Sequence, residues 1–207
     1  MKKIIIALLC IVHCALCIDL VAQNDREAER RVKSVVSVLK HSSYEGRFTL
    51  SYYNSQEETT DEQLGDILIK GSCFRIKLGE NETVFNGKTQ WVFLSKYNEV
   101  SITEPTKEEL CEVNPLSMIE YYVAKDKISL GDNGVINFYP LNPKECEYFR
   151  VELSLDKSNT PKRLVIYQKN GDKITLLLES LKKININDSV FNFDASKYPN
   201  VEINDLR

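Results

Sequence analysis

The sequence predicts a mainly β fold of the α+β class, in which one wide antiparallel sheet curls into a barrel or half-barrel. Apolar and polar residues alternate with a period of two in about ten short segments from Gly46 onward. Closely spaced turn residues separate these segments and leave too little chain for parallel crossovers. Helical periodicity occurs in two stretches, one before the strands and one between their two halves.

The first residues are predicted to be a signal peptide. Met1-Lys2-Lys3 is followed by an apolar run from Ile4 to Val12, and Leu20-Val21-Ala22 ends in a small residue suited to cleavage. We therefore expect residues 1–22 to be removed and residues 23–207 to form a single exported domain. About 185 residues are enough for one domain with a sizeable core.

Two other interpretations of this segment carry less weight. An uncleaved membrane anchor needs about 20 apolar residues, and here His13 and Asp19 interrupt the run. A lipid-modified cysteine would follow a small residue, whereas each of the three cysteines in this segment follows leucine or histidine.

Charge and cysteine content narrow the function. Residues 23–207 hold 25 basic and 29 acidic side chains, a net charge of −4, which argues against a nucleic-acid partner. They also retain Cys73, Cys111 and Cys146, and three cysteines cannot all pair with one another. A bridge between Cys111 and Cys146 is one alternative, and three small buried apolar side chains are the other.

An amphipathic helix is predicted directly after the signal peptide. Asn24 is its expected N-cap, with Glu27 three residues on. Charged residues fill one face, which indicates a solvated surface. The other face is apolar and consists of Ala28, Val32, Val35, Val36 and Leu39.

Two series of strands follow this helix. They are predicted at residues 46–54, 64–70, 73–78, 82–86 and 89–94, and then at 134–139, 147–155, 163–168, 173–179 and 181–187. Turn residues such as Gly71-Ser72 and Asn86-Gly87 mark the breaks. About ten strands exceed what a flat sheet comfortably holds, so the sheet should curl. The period alone leaves open whether the interior is filled or hollow.

A helical insertion separates the two series and begins after Pro105. Thr106 and Glu109 have the spacing of a capping box, and Asn114-Pro115 supplies a second N-cap with a first helical residue. The second helix carries an apolar stripe at Leu116, Ile119, Tyr122 and Val123. Such an insertion is a natural cover for the interior of a curled sheet.

Side chains suited to catalysis or metal binding are scarce. His41 is the one histidine after the signal peptide, and its place at the helix end favours interaction with the helix dipole. The carboxylates Glu57-Glu58 and Asp61-Glu62 fall in a polar hairpin tip and are expected to be solvated. The glycine spacing of phosphate-binding loops is missing. We therefore expect neither an enzyme nor a cofactor or metal site.

Motifs in several segments occur together, in this order, in one known family. The segments are Lys70-Gly-Ser-Cys-Phe-Arg-Ile-Lys77, Phe85-Asn-Gly-Lys-Thr-Gln-Trp-Val-Phe93, Asn114-Pro-Leu-Ser-Met-Ile119, and Phe191-Asn-Phe193 with Pro199-x-Val201. Over nearly the whole exported chain they resemble the LolA family of outer-membrane lipoprotein carrier proteins. The second segment is similar to the family's (D/N)GKT-x-W-x-(F/Y) hairpin, and the third to its helical lid.

The resemblance implies an unclosed antiparallel β-barrel of about 11 strands, in which the N-terminal helix and a helical lid cover a hydrophobic cavity. It also implies a monomer in the periplasm that binds the acyl chains of lipoproteins. Such a carrier accepts acylated lipoproteins from an inner-membrane lipoprotein exporter and passes them to an outer-membrane acceptor.

Eleven side chains are expected to line this cavity, since each set alternates or spirals with the period that turns it inward. They are Phe48, Leu50, Tyr52, Phe74, Ile76, Leu78, Trp91, Phe93, Leu116, Met118 and Ile119. Met118 is the most indicative, because a flexible thioether adapts to varied chains. The other interpretation of each residue is ordinary barrel core.

One position departs from the family. Many members carry an arginine beside the strand that includes Phe74, where it holds the lid closed, and this sequence has Gly71 there. Arg75 is expected to point to the face opposite Phe74 and Ile76, so no latch residue is assigned. This departure keeps a second function open, a non-catalytic envelope binding or scaffold module that uses the half-barrel for another apolar ligand or a protein partner.

Overall fold

The computed structural model of the chain describes residues 25–207, apart from the side chains of Glu108, Glu112, Pro115 and Leu116. The predicted signal peptide and the expected N-cap Asn24 lie outside the described residues. The helices are α1 (25–40), α2 (Lys107–Val113) and α3 (Pro115–Lys125). The strands are β1 (Ser43–Asn54), β2 (Thr59–Lys70), β3 (Cys73–Leu78), β4 (Asn81–Phe85), β5 (Gln90–Leu94), β6 (Glu99–Thr103), β7 (Asp126–Leu130), β8 (Ile136–Pro140), β9 (Tyr148–Leu155), β10 (Pro161–Gln168), β11 (Lys173–Lys183) and β12 (Glu202–Asp205).

All twelve of these strands belong to one sheet, which confirms the mainly β fold and the unclosed barrel. Their order is β12-β6-β5-β4-β3-β2-β1-β11-β10-β9-β8-β7, so β12 and β7 form its two edges. Neighbouring strands are antiparallel except β12, which runs parallel to β6. The prediction of antiparallel neighbours is therefore wrong at this edge, because β12 reaches β6 through a long connection to which the spacing argument does not apply.

β6, β7 and β12 were not predicted from the sequence. Each has only four or five residues, and β7 starts at Asp126, the residue that follows the end of α3 at Lys125. Without turn residues between a helix and a strand, the change of period is hard to detect over so short a segment.

β11 is one continuous strand where two were predicted, at residues 173–179 and 181–187. Its register with β1 shifts between Arg47, opposite Ser180, and Phe48, opposite Leu178, which leaves Glu179 as an extra residue. A β-bulge of this kind reverses the alternation along the strand. The reversal of phase resembles a break in the sequence pattern, although the strand continues.

α1 packs across the inner face of the sheet and joins the two halves of the core, as its apolar face predicts. Ala28 and Val32 belong to a cluster with the side chains of β8, β9 and β10, whereas Val35 and Leu39 belong to a cluster with those of β1, β2 and β3. All four are at least 94% buried. The expected burial of this face is therefore confirmed.

The C-terminal segment covers part of the outer face of the sheet. Arg75 points to this face, opposite Phe74 and Ile76, as the alternation predicts, and donates hydrogen bonds to Glu82 (2.7 and 3.0 Å) and to the carbonyl oxygen of Val190 (3.1 Å). The Tyr198 hydroxyl also donates to Glu82 (2.7 Å). Because Glu82 is almost fully buried, these bonds anchor the segment firmly against β3 and β4.

Local features of the helices agree with the sequence analysis. Thr106 and Glu109 form both hydrogen bonds of the predicted capping box. The ring Nδ1 of His41 lies 2.7 Å from the carbonyl oxygen of Ser37, in the last turn of α1. Among the described residues no disulfide links Cys73, Cys111 or Cys146, and all three are partly buried. None of the helices in residues 25–207 has the length and apolar character needed to cross a membrane.

Candidate functional site

A cavity of about 260 Å³, here called the main chamber, lies between the inner face of the sheet and helices α2 and α3. Val92 on β5 and Leu164 on β10 both line it, although five strands separate β5 from β10 in the sheet. The sheet therefore curls far enough to bring its two halves to opposite sides of one cavity. The complete lining is Phe48, Leu50, Ile76, Leu78, Asn81, Thr83, Val92, Leu94, Val113, Met118, Leu164, Ile166, Ile174 and Leu176.

Two smaller spaces continue from the main chamber. A buried space of about 30 Å³, the inner chamber, shares Phe48, Leu164 and Leu176 with the main chamber. A surface space of about 150 Å³ between α1 and the β9–β10 turn, the outer groove, shares Leu39, Pro161 and Leu181 with the inner chamber. The three spaces thus follow one another from the α2–α3 cover to the surface beside α1.

The structure brings six of the predicted lining residues to these chambers. Phe48, Leu50, Ile76, Leu78 and Met118 line the main chamber, and Ile119 lines the inner chamber together with Phe48. Alternation along β1 and β3 accounts for the four strand residues, because their positions two apart share the inner face. Leu116 was also predicted, and its side chain lies outside the description.

Four predicted residues lie elsewhere. Trp91 and Phe93 point to the outer face, where the Phe93 ring lies 4.2 Å from that of Tyr198. Phe74 is fully buried against Phe85, with ring centroids 5.6 Å apart, and belongs to the solid core. Tyr52 is 39% exposed at the end of β1, and its hydroxyl donates a 2.6 Å hydrogen bond to Asp172.

The error at β5 has a physical cause. Trp91, Val92, Phe93 and Leu94 are all apolar, so the alternation does not indicate which pair faces inward. Pairing decides it: Val92 lies opposite Thr83 of β4, which in turn lies opposite Ile76 of β3, and all three face the main chamber. The larger aromatic pair therefore packs outside, under the C-terminal segment.

The second half of the sheet supplies lining residues that the sequence analysis missed. They are Leu164, Ile166, Ile174 and Leu176. Leu176 lies opposite Leu50 on β1, and Ile174 lies opposite Tyr52. Their period of two was visible in the sequence, but placing β11 beside β1 requires the sheet order.

The cover over the main chamber is held at one end. Val113 at the end of α2 and Met118 near the start of α3 face the chamber. Further along α3, Tyr122 is buried, with its ring centroid 5.3 Å from that of Tyr148 and 6.0 Å from that of Phe138. The end of α3 is thus part of the core, whereas α2 and the start of α3 cover a cavity.

An ion pair joins the cover to α1. Lys40 Nζ lies 2.5 Å from Glu120 Oε1 on α3, and both side chains are partly exposed. The pair lies beside the turn at Gly71, since a Cβ atom added to Gly71 would stand 3.8 Å from the Lys40 carbonyl oxygen. The φ angle of +59° favours glycine at that turn. The tie between helix and cover therefore comes from α1.

Ionisable groups are absent from the lining of the main chamber among the described residues, and Asn81 and Thr83 are its polar members. Beyond the end of α3, the Tyr148 hydroxyl donates hydrogen bonds to both carboxylate oxygens of Asp126, at 2.8 and 3.0 Å. Burial raises the pKa of Asp126, and the hydrogen bond from Tyr148 opposes that rise. This buried pair stabilises the junction of α3 and β7.

The carboxylate run of the first hairpin is solvated, as expected. Glu57 and Glu58 lie in the turn, while Asp61 and Glu62 belong to β2, which is longer than predicted, and all four are exposed. Within residues 25–207, groups of three or more side chains that could hold a metal ion do not occur.

Comparison with known proteins identifies a related family. A family model described as outer membrane lipoprotein carrier protein LolA matches residues 18–141, which is more than half of the chain. No curated protein matches the sequence.

Solved structures share the fold at low sequence identity. An uncharacterized conserved protein from Thermus thermophilus is 14% identical with a TM-score of 0.56, and the alignment covers 85% of this chain and 98% of that one. A LolA superfamily protein from Nitrosomonas europaea is 12% identical with a TM-score of 0.48, and the alignment covers 81% and 98% of the two chains.

Proposed function

Since the chain belongs to the family of the outer membrane lipoprotein carrier protein LolA, we propose that it carries lipoproteins across the periplasm with their acyl chains in the main chamber. The observation that carries this proposal is an apolar, roofed cavity of about 260 Å³ whose described lining has no charged side chain. A cavity of that character suits hydrocarbon and offers little to a polar substrate.

The energetics of transport support such a site. Each buried methylene contributes about 0.8 kcal/mol, so the acyl chains of one lipoprotein would cost tens of kcal/mol if exposed to water. A carrier must also release its cargo to an acceptor. Apolar contact with only Asn81 and Thr83 as polar neighbours provides shielding without strong, directional hydrogen bonds.

The cover has to move for cargo to enter. About 260 Å³ lies below the 300–1,000 Å³ usual for sites that enclose a drug-sized ligand, and several acyl chains need more. Displacement of α2 and the start of α3 would enlarge the chamber, while Tyr122 keeps the end of α3 in the core. The proposed cycle therefore alternates between this closed position of the cover and an open one.

The proposed partners follow from this role. The carrier receives acylated lipoproteins from an inner-membrane exporter and delivers them to an outer-membrane acceptor. It acts as a periplasmic monomer, without catalysis or a cofactor. Residues 1–22 supply the signal for its export.

A charge placed in the chamber tests the proposal. Met118→Glu should weaken the binding of a fluorescent fatty-acid probe by at least tenfold, because a carboxylate would have to be desolvated beside the chain. Probe titration of the protein produced from the full chain measures this effect. Val38→Glu is the matched control, since Val38 is 55% exposed on α1 and does not line the main chamber.

The same titration separates the carrier from a scaffold. A scaffold module that uses its outer surface for protein contacts would give no saturable probe binding in the unmodified protein. Equal binding by the Met118→Glu and Val38→Glu variants would place the probe outside the chamber and contradict the proposal.

A further inference from the structure

We propose that Phe48 divides the interior and sets the length of acyl chain that the carrier holds. Of the three residues shared by the main and inner chambers, Phe48 is the largest, and Leu164 and Leu176 face it from β10 and β11. This inference rests on the proposed function, because it concerns the same cavity.

The position of the Phe48 ring depends on Gly65. The two residues are direct partners across β1 and β2, and a Cβ atom built on Gly65 would lie 2.3 Å from Cζ of the ring. No real Cβ approaches an atom that closely, so the ring occupies the place of the missing side chain. Glycine is here required by the close approach of a neighbour rather than by its backbone angles.

The inner chamber is apolar but small behind this ring. Its volume of about 30 Å³ holds one or two water-sized groups. Its walls are aliphatic side chains, among them Ile67, Ile119 and Leu153, all at least 95% buried, and its one charged neighbour, Arg163, is exposed. A chain that fills the main chamber can therefore advance only slightly past Phe48.

The outer groove ends the apolar path. Ser34, Ser158, Asn159 and Thr160 line it beside Val35 and Val38. A methylene that reached these hydroxyl and amide groups would gain little, because it would displace water from polar atoms. The structure thus gives each chain a defined stopping point, at Phe48 in the present form and at the outer groove if the ring is removed.

Fatty acids of increasing length test this assignment. In the native protein the dissociation constants of saturated acids from C8 to C18 should fall about fourfold per methylene, from about 0.8 kcal/mol each, and then level off. Phe48→Leu should move the levelling point to chains at least two methylenes longer, which then bind about 16-fold more tightly than to the native protein.

Two further variants make the test specific. Gly65→Ala should move the levelling point to shorter chains, because the new Cβ forces the ring towards the chambers. Phe74→Leu is the matched control, since Phe74 lies in the same core cluster and lines neither chamber, so it should leave the levelling point unchanged. Thermal unfolding of each variant verifies that it is folded.

The outcomes distinguish this inference from the proposed function. Saturable binding with the same levelling point in the native and Phe48→Leu proteins would overturn the role of Phe48 and leave the carrier function standing. If the native protein binds no fatty acid of any length, the proposed function fails and the length gauge fails with it.

Discussion

Asp172 shows how a single residue fixes the end of the first hairpin. Its carboxylate accepts hydrogen bonds from the Tyr52 hydroxyl at 2.6 Å and from the Ser55 backbone N–H at 2.8 Å. The side chains of Ser55 and Asn170 donate two more. These bonds hold the pKa of Asp172 at about 2, with the backbone bond from Ser55 as the largest cause.

The depressed pKa predicts a pH-dependent contribution to stability. Asp172 has a lower pKa in the folded chain than the usual value of about 3.9, so its stabilisation is complete above pH 4 and is lost as the pH falls towards 2. Asp172→Asn should therefore destabilise the protein most at neutral pH. Urea unfolding from pH 7 to pH 2 should show the deficit shrinking below pH 4.

A neighbouring carboxylate provides the comparison for this experiment. Asp61→Asn changes an exposed residue of β2 and should not produce a comparable deficit at neutral pH. A deficit in Asp172→Asn that stays constant down to pH 2 would contradict the assigned role of the carboxylate.

At the scale of elements, the sequence predicts strands well and their inward faces less well. β3 was predicted with its observed bounds, because turn residues enclose a clean alternation on both sides. The inward side of β5 was not predictable, since Trp91 and Val92 are equally compatible with burial. Which one faces the chamber depends on the register with β4, and register is a tertiary property.

The α2–α3 cover behaves as an element with one fixed end and one weakly tied end. The Lys40–Glu120 ion pair is the described charged contact between α1 and α3. Exposed pairs of this kind contribute about 0.2–1 kcal/mol, enough to bias a cover between two positions but not to stabilise the fold.

Removal of this pair should therefore affect release more than stability. Lys40→Met is expected to raise the dissociation rate of a bound fatty-acid probe up to about fivefold, with a change in the free energy of unfolding below about 1 kcal/mol. Stopped-flow displacement measures the rate. High salt should produce the same acceleration in the native protein, because it screens the pair.

The control for this variant is another lysine of the same helix. Lys33 pairs with Glu29 at 3.2 Å within α1 and does not contact the cover, so Lys33→Met should leave release unchanged. Equal release rates in the native and Lys40→Met proteins, at low and at high salt, would mean that the ion pair does not restrain the cover.

At the scale of the whole molecule, the sheet is wide enough to curl around a space that its own side chains do not fill. Its class and most of its strands followed from the alternation, whereas the parallel pairing of β12 with β6 did not, because the partners are about 100 residues apart. The volume of the chamber was equally beyond the sequence, since it depends on how side chains of distant strands pack.

The most direct test of the central claim is a crystal structure of the protein in complex with palmitic acid. We predict electron density for the hydrocarbon chain in the main chamber, in contact with Leu50, Leu78 and Met118, and displacement of α2 with the start of α3. A chamber closed by its own side chains, with palmitate bound on the outer surface, would contradict the claim that this fold carries acyl chains.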